Sequence, residues 1–295
     1  MAIRKEILVI IIIFLVLLAA FFVFFINPSK PADLDQYDGN GLDNNEIIPS
    51  YDASADEIPQ VQSNFDRTPW DENNTTDGSA PKSGRPVIMN VGINIGTWDK
   101  TTNRAGDFFF DDTEYVNDKM FAEYGELVVN DLGRKLLPHP TYWLPEGTEL
   151  VAVADGTVQQ IDFLEQLGDY GVLIMPKDAP QWTINYEHVS NVKVHEGQQV
   201  LAGDVIAEVS MHGDMGMAEL MIFRGGATPA DIVSVCPYLL LDPNVKEQYD
   251  QKILQLAADW EEFKGKDIYD ESAWISPGCL YENMTEVEAS SGSVP

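Results

Sequence analysis

The sequence predicts a mainly β domain, sandwich or barrel, set behind a single transmembrane helix and an acidic disordered linker and followed by an amphipathic helix. Three observations predict this class. An unbroken apolar run occupies Ile7 to Ile26, short β-rich runs alternate with turn signals between Glu146 and Val209, and apolar residues recur at spacings of three and four from Val245 to Phe263.

The apolar run holds only Ile, Leu, Val, Phe and Ala. Twenty residues at helical rise cover roughly 30 Å, the thickness of a bilayer hydrocarbon core. Arg4 and Lys5 precede it and acidic residues dominate after it, so residues 1–6 are expected in the cytoplasm and the rest outside. A removed signal peptide is the alternative. Its apolar region would be shorter and end in small residues, whereas this run ends Phe24-Phe25-Ile26-Asn27-Pro28. The expectation is an uncleaved anchor at 7–26 in the cell membrane.

Residues 27–85 are rich in Asp, Asn, Pro, Ser and Gly and have no sustained apolar period. Such a stretch buries too little surface to offset its ordering entropy and is expected as a disordered stalk, extended by self-repulsion. The formal net charge is -30. A surface of that sign repels phosphate backbones, so a nucleic-acid partner is excluded. The acidity itself is compatible with a saline setting, weak cation binding or plain solubility.

Val87 to Ile93 reads as a strand, and Phe108-Phe109-Phe110 and Met120-Phe121 add apolar segments between turns. Residues 86–137 are expected as a β-rich extension packed on the domain that follows, 138–235. In that domain Glu149 to Val153, Gly171 to Met175 and Trp182 to Tyr186 read as strands, the last two joined by a hairpin through Pro176-Lys177-Asp178-Ala179-Pro180. Glu146-Gly147-Thr148-Glu149-Leu150-Val151-Ala152 echoes Glu196-Gly197-Gln198-Gln199-Val200-Leu201-Ala202, fifty residues on. Two such half-motifs suggest a pseudo-symmetric β architecture, with chance similarity the alternative.

Val245, Tyr249, Ile253, Leu256, Trp260 and Phe263 lie on one face of a helix, with Pro243 near its start and Gly265 just past its end. This helix belongs to a C-terminal extension, 236–285, followed by a disordered tail, 286–295. Cys236 and Cys279 both fall in the exported part, where oxidation is permitted. A disulfide between them would close a loop of 43 residues, worth ~4 kcal/mol on the chain-entropy model; two buried thiols are the alternative. Asn73, Asn74 and Asn283 sit in Asn-x-Thr sequons.

From about Pro145 to Gly226 the chain resembles the lysostaphin/LytM-type, M23-like metallopeptidase domain. The residues that carry the resemblance are 144–158, Leu-Pro-Glu-Gly-Thr-Glu-Leu-Val-Ala-Val-Ala-Asp-Gly-Thr-Val, then Asp169-Tyr170-Gly171-Val172, Tyr186-Glu187-His188-Val189-Ser190, and 194–207, Val-His-Glu-Gly-Gln-Gln-Val-Leu-Ala-Gly-Asp-Val-Ile-Ala. The resemblance implies a duplicated barrel-sandwich hybrid fold. It also implies zinc, held in active members by a His, an Asp four residues on, and the second His of a His-x-His, with an open position for the water that the metal acidifies.

Counted along this sequence, the first two ligand positions fall near Leu137 and Thr141, and the His-x-His falls near Glu219-Leu220-Met221. None of the three ligand positions carries a zinc ligand. Only His188 matches a family functional residue, an assisting catalytic histidine. The four histidines are His139, His188, His195 and His212. His195 is expected solvated in a turn. His139, Trp143, His212 and Glu219 are expected along the relic groove, although core packing is the preferred reading of Trp143, as of Trp182. A rearranged metal site from His139, His188, His212 and Glu219 is the alternative.

The expected function is therefore a membrane-anchored envelope protein whose peptidase-like domain binds or scaffolds without catalysis and without a metal cofactor. Its partners are the membrane and an envelope glycan, peptide or protein. The alternative is a zinc-dependent endopeptidase with atypical ligands. A biotinyl or lipoyl carrier would need a lysine at a hairpin tip; Lys177 lies in a hairpin, but its Pro and Asp neighbours and the exported location argue against that use.

Overall fold

The structure is a computed structural model that describes residues 84–293, apart from 114, 131, 132, 166, 214 and 227. The expected anchor at 7–26, almost all of the linker and the sequons at Asn73 and Asn74 lie outside the described residues. Among those described, no helix is long and apolar enough to cross a membrane.

Strands dominate. A three-stranded sheet comprises β1 (Ile95–Asp99), β2 (Arg104–Gly106) and β3 (Phe108–Phe109). A separate hairpin pairs β5 (Leu127–Asn130) with β6 (Gly133–Leu136). The principal sheet has eleven strands. Its main path runs through β12 (Gln199–Val200), β9 (Gly156–Leu164), β10 (Asp169–Pro176), β11 (Trp182–Ser190), β13 (Val205–His212), β14 (Met215–Arg224), β15 (Val233–Val235) and β16 (Asn283–Thr285). Off this path β7 (Thr141–Trp143) pairs with β14 and with β4 (Phe121–Ala122), and β8 (Glu149–Val151) pairs with β13. The path is open from β12 to β16, so the sheet is not a closed barrel.

The echoed half-motifs occupy equivalent places. Gly147 and Gly197 both adopt positive φ, at 77° and 81°, and each turns the chain into a short strand, β8 or β12. Gly147 N–H donates to Val209 O and Val209 N–H to Thr148 O; in the second copy Gly197 N–H donates to Val158 O and Val158 N–H to Gln198 O. The same local chemistry is thus used twice against β13 and β9.

One expectation needs correcting. Val87 to Ile93 is not a continuous strand. Asn90 Oδ1 accepts the Gly92 N–H at 2.8 Å in an Asx turn, and Gly92 takes a φ of 85° that a strand does not use. Ile88 forms only an isolated bridge to Leu241, while Val91 and Ile93 still bury their side chains.

Helix α1 (Pro243–Lys264) starts at Asp242, whose side chain accepts the Asn244 N–H, and ends at Gly265 in the left-handed conformation. Its face of Ile253, Leu256, Ala257 and Trp260 is buried, with Val245, Tyr249 and Phe263 packed around it. A short helix, α2 (Glu286–Ser291), is capped by Thr285 and Glu288 where a disordered tail was expected. Cys236 and Cys279 are joined in a disulfide with Cα atoms 6.0 Å apart. One hydrophobic core runs from Ile88 in the N-terminal extension to Ala289 in α2.

Candidate functional site

The site lies where β7, β11 and β14 run side by side. Glu219 on β14 stands opposite Thr141 on one neighbour and Glu187 on the other. Period-two alternation would send His188 to the opposite face from Glu187. A bulge prevents this. Tyr170 pairs with Val189 and Val172 with Tyr186, so Glu187 and His188 together oppose Gly171 alone. His188 carries the strain, with a φ of 59° that costs a residue with a Cβ on the order of 1–3 kcal/mol. The result is that ligand atoms of Glu187, His188 and Glu219 lie within 4.8 Å of one another.

His139 reaches Glu219 from the loop before β7. Its Nε2 is 3.2 Å from Glu219 Oε2, and His188 Nε2 is 3.8 Å from that same oxygen. Each imidazole is fixed from behind. His188 Nδ1 lies 2.8 Å from Asp169 Oδ2, and Asp169 is buried at the start of β10. His139 Nδ1 lies 3.3 Å from Thr141 Oγ1, which in turn is 3.4 Å from Glu219 Oε1. His212 stacks edge-on against His188, with ring centroids 4.7 Å apart, and faces solvent.

The electrostatics are crowded. Burial first, and then the Glu219 carboxylate beside it, push the Glu187 carboxyl above the usual range; His139, Asn185 and His188 pull the other way. Asn185 Nδ2 donates to Glu187 Oε1 at 2.6 Å. Asp169 Oδ1 and Asn185 Oδ1 are buried without a partner among the described residues.

The structure therefore brings together His139, His188, His212 and Glu219. Trp143 it places elsewhere. That residue shares the sheet face of Thr141 but is covered by Ala122, Leu137 and Tyr115, with its ring centroid 5.8 Å from that of Tyr115. Trp182 is buried as well, beneath the Arg224 guanidinium. His195 is exposed in its turn, and Lys177 is exposed in the β10–β11 connection. Asp169 and Glu187 were not singled out from the sequence. Both lie within the segments that carried the resemblance, but only the bulge gives them a role.

Residues 141–228 match the model of peptidase family M23. Among solved structures, the catalytic domain of the antimicrobial peptidase lysostaphin from Staphylococcus simulans is 16% identical, with 40% of this chain and 89% of that chain covered at a TM-score of 0.33. A solution structure of lysostaphin is covered over 43% of its length and 36% of this chain, at 16% identity and a TM-score of 0.31. The SpoIIQ-SpoIIIAH pore forming complex is matched at 17% identity, covering 46% of this chain and 94% of that chain, at a TM-score of 0.34. No curated protein matches the chain.

Zinc held as the resemblance implies does not fit these residues. Leu137 is buried in the small core beside Ala122 and Trp143. Thr141 offers only a hydroxyl, already engaged with His139 and Glu219. Met221 supplies a thioether, a soft donor unsuited to a hydrolytic zinc.

Proposed function

We propose that the chain is a single-pass membrane protein of the cell envelope whose M23-type domain binds or scaffolds rather than hydrolyses. The carrying observation is the replacement of all three family ligand positions by Leu137, Thr141 and Met221. Hydrolysis by a metal needs a held ion with an open position for water, and the inherited ligand set supplies neither. What stands in the former ligand region is a set of contacts among His139, Thr141, Glu219 and His188. The apolar run at 7–26 and the acidic stretch after it support an anchored domain held outside the cytoplasm on a stalk. An envelope peptide or glycan, or a partner protein, is the occupant that this reading assigns to the groove.

Full-length protein in detergent micelles, supplied with zinc and cross-linked peptidoglycan, tests the reading. We expect no release of new amino termini, together with co-sedimentation with the insoluble wall. Zinc-dependent bond cleavage above the rate without protein overturns it. For the topology, intact cells should retain the protein in the carbonate-washed membrane pellet and lose the C-terminal part to external protease; full protection would reverse the assigned orientation.

A further inference from the structure

We infer that His188 Nε2 and the Glu187 and Glu219 carboxylates, with His139 in contact with Glu219 beside them, form a divalent-cation site built from none of the family's ligand positions. The first reason is the direction of the lone pairs. Asp169 is buried and accepts from His188 Nδ1 at 2.8 Å, which fixes the proton on that nitrogen and leaves Nε2 as an acceptor. That acceptor faces a second acceptor, Glu219 Oε2, at 3.8 Å. His139 Nε2 lies 3.2 Å from the same Glu219 oxygen and holds that carboxylate in place. An imidazole lone pair and two carboxylates gathered within 4.8 Å of one another call for a cation among them.

The second reason is spacing. Donors bound tetrahedrally at about 2.0–2.1 Å are separated by roughly 3.3 Å. His188 Nε2 and Glu219 Oε2 stand 3.8 Å apart, and Glu187 offers a ligand atom within 4.8 Å of both residues' own. The third is the support behind the donors. Ligating histidines ordinarily give their second nitrogen to a carboxylate, and Asp169 takes that of His188 here. An imidazole with two carboxylates suits zinc or a neighbouring first-row ion better than calcium or magnesium, which favour all-oxygen cages. Three protein donors leave the cation room for a further ligand, so the test reads metal uptake and cleavage separately.

The test uses full-length protein in detergent, stripped with a chelator and then titrated with Zn2+ by calorimetry, with bound metal counted by mass spectrometry. We expect one equivalent per chain, a rise in the unfolding temperature on binding, and at least a tenfold loss of affinity in Glu219→Gln and in His188→Ala. His195→Ala should bind as wild type does. Far-UV circular dichroism and an intact disulfide establish that the variants are folded. Folded wild type that takes up no metal overturns the site, as does uptake that neither variant weakens, since a protonated imidazole pair then supplies the positive charge. Metal uptake with cleavage of peptidoglycan would overturn the binding-module reading and leave this site standing. An absence of both would do the reverse.

Discussion

Glu126 illustrates how one side chain couples this fold to pH. It and Glu123 are both buried, and Lys119 Nζ lies 2.8 Å from Glu123 Oε2 and 3.2 Å from Glu126 Oε1. One ammonium does not neutralise two buried carboxylates. Burial, and then the Glu123 carboxyl, push Glu126 up to about 7, against the opposing pull of Lys119 and Asn117. The unfolded chain gives up this proton near pH 4.5, while the folded chain holds it until about pH 7. Between those values the folded state binds more protons, so stability falls as pH rises. The contribution is complete below pH 4.5, is lost through pH 7, and amounts to on the order of 3 kcal/mol. Urea midpoints from pH 5 to 8 should therefore fall in wild type and flatten in Glu126→Gln; equal slopes in both would remove Glu126 from the account. None of this was legible in the sequence, where Glu123 and Glu126 are two of 48 acidic residues. The same holds for the candidate site. His188 and Glu219 could be placed by motif, but Asp169 and Glu187 became functional candidates only through a bulge that no residue pattern announces.

At the scale of elements, legibility followed length. Helix α1 was readable because six apolar residues spread over five turns leave no competing period, and its ends carry Pro243 and Gly265. The long strands β10 and β11 were readable for the same reason. The strands β2, β3, β4 and β7 have two or three residues each, too few to show alternation, and exist because their neighbours pair with them. Tertiary packing should thus dominate the stability of α1. Trp260 is fully buried, stacks among Phe110, Tyr115 and Phe263, and donates its indole N–H to Asp118 O at 2.8 Å. Trp260→Ala should cost about 3–5 kcal/mol by loss of contacts and a cavity. Leu254, exposed on the opposite face, should change stability by less than about 0.5 kcal/mol when cut to Ala. Urea denaturation of the two variants decides the point: similar losses would mean that helix propensity, not docking, holds α1.

Across the whole molecule two forces oppose each other. The disulfide Cys236–Cys279 closes 43 residues around α1 and ties the end of β15 to the segment before β16. On the chain-entropy model its loss should cost ~4 kcal/mol, seen as a lower urea midpoint in Cys236→Ser/Cys279→Ser. Against it stands self-repulsion. Lys and Arg number 18 against 48 Asp and Glu, a formal net charge of -30. Exposed charges more than a Debye length apart are screened by salt, and that length falls from about 10 Å at 0.1 M to 3 Å at 1 M. Because the folded chain concentrates the negative charge that the unfolded chain spreads, screening should favour folding. The unfolding temperature should therefore climb steadily from low salt to 1 M NaCl, with the steepest rise below about 0.2 M, where the screening length changes most. Chloride is not excluded from surfaces as sulfate is, so a similar rise in both salts at low concentration identifies screening, whereas a rise in sulfate alone would assign the effect to strengthened apolar burial. A flat or falling profile in NaCl would mean that the local ion pairs, such as Lys119 with Glu123 and Lys193 with Glu208, outweigh the net charge in setting the stability of the domain.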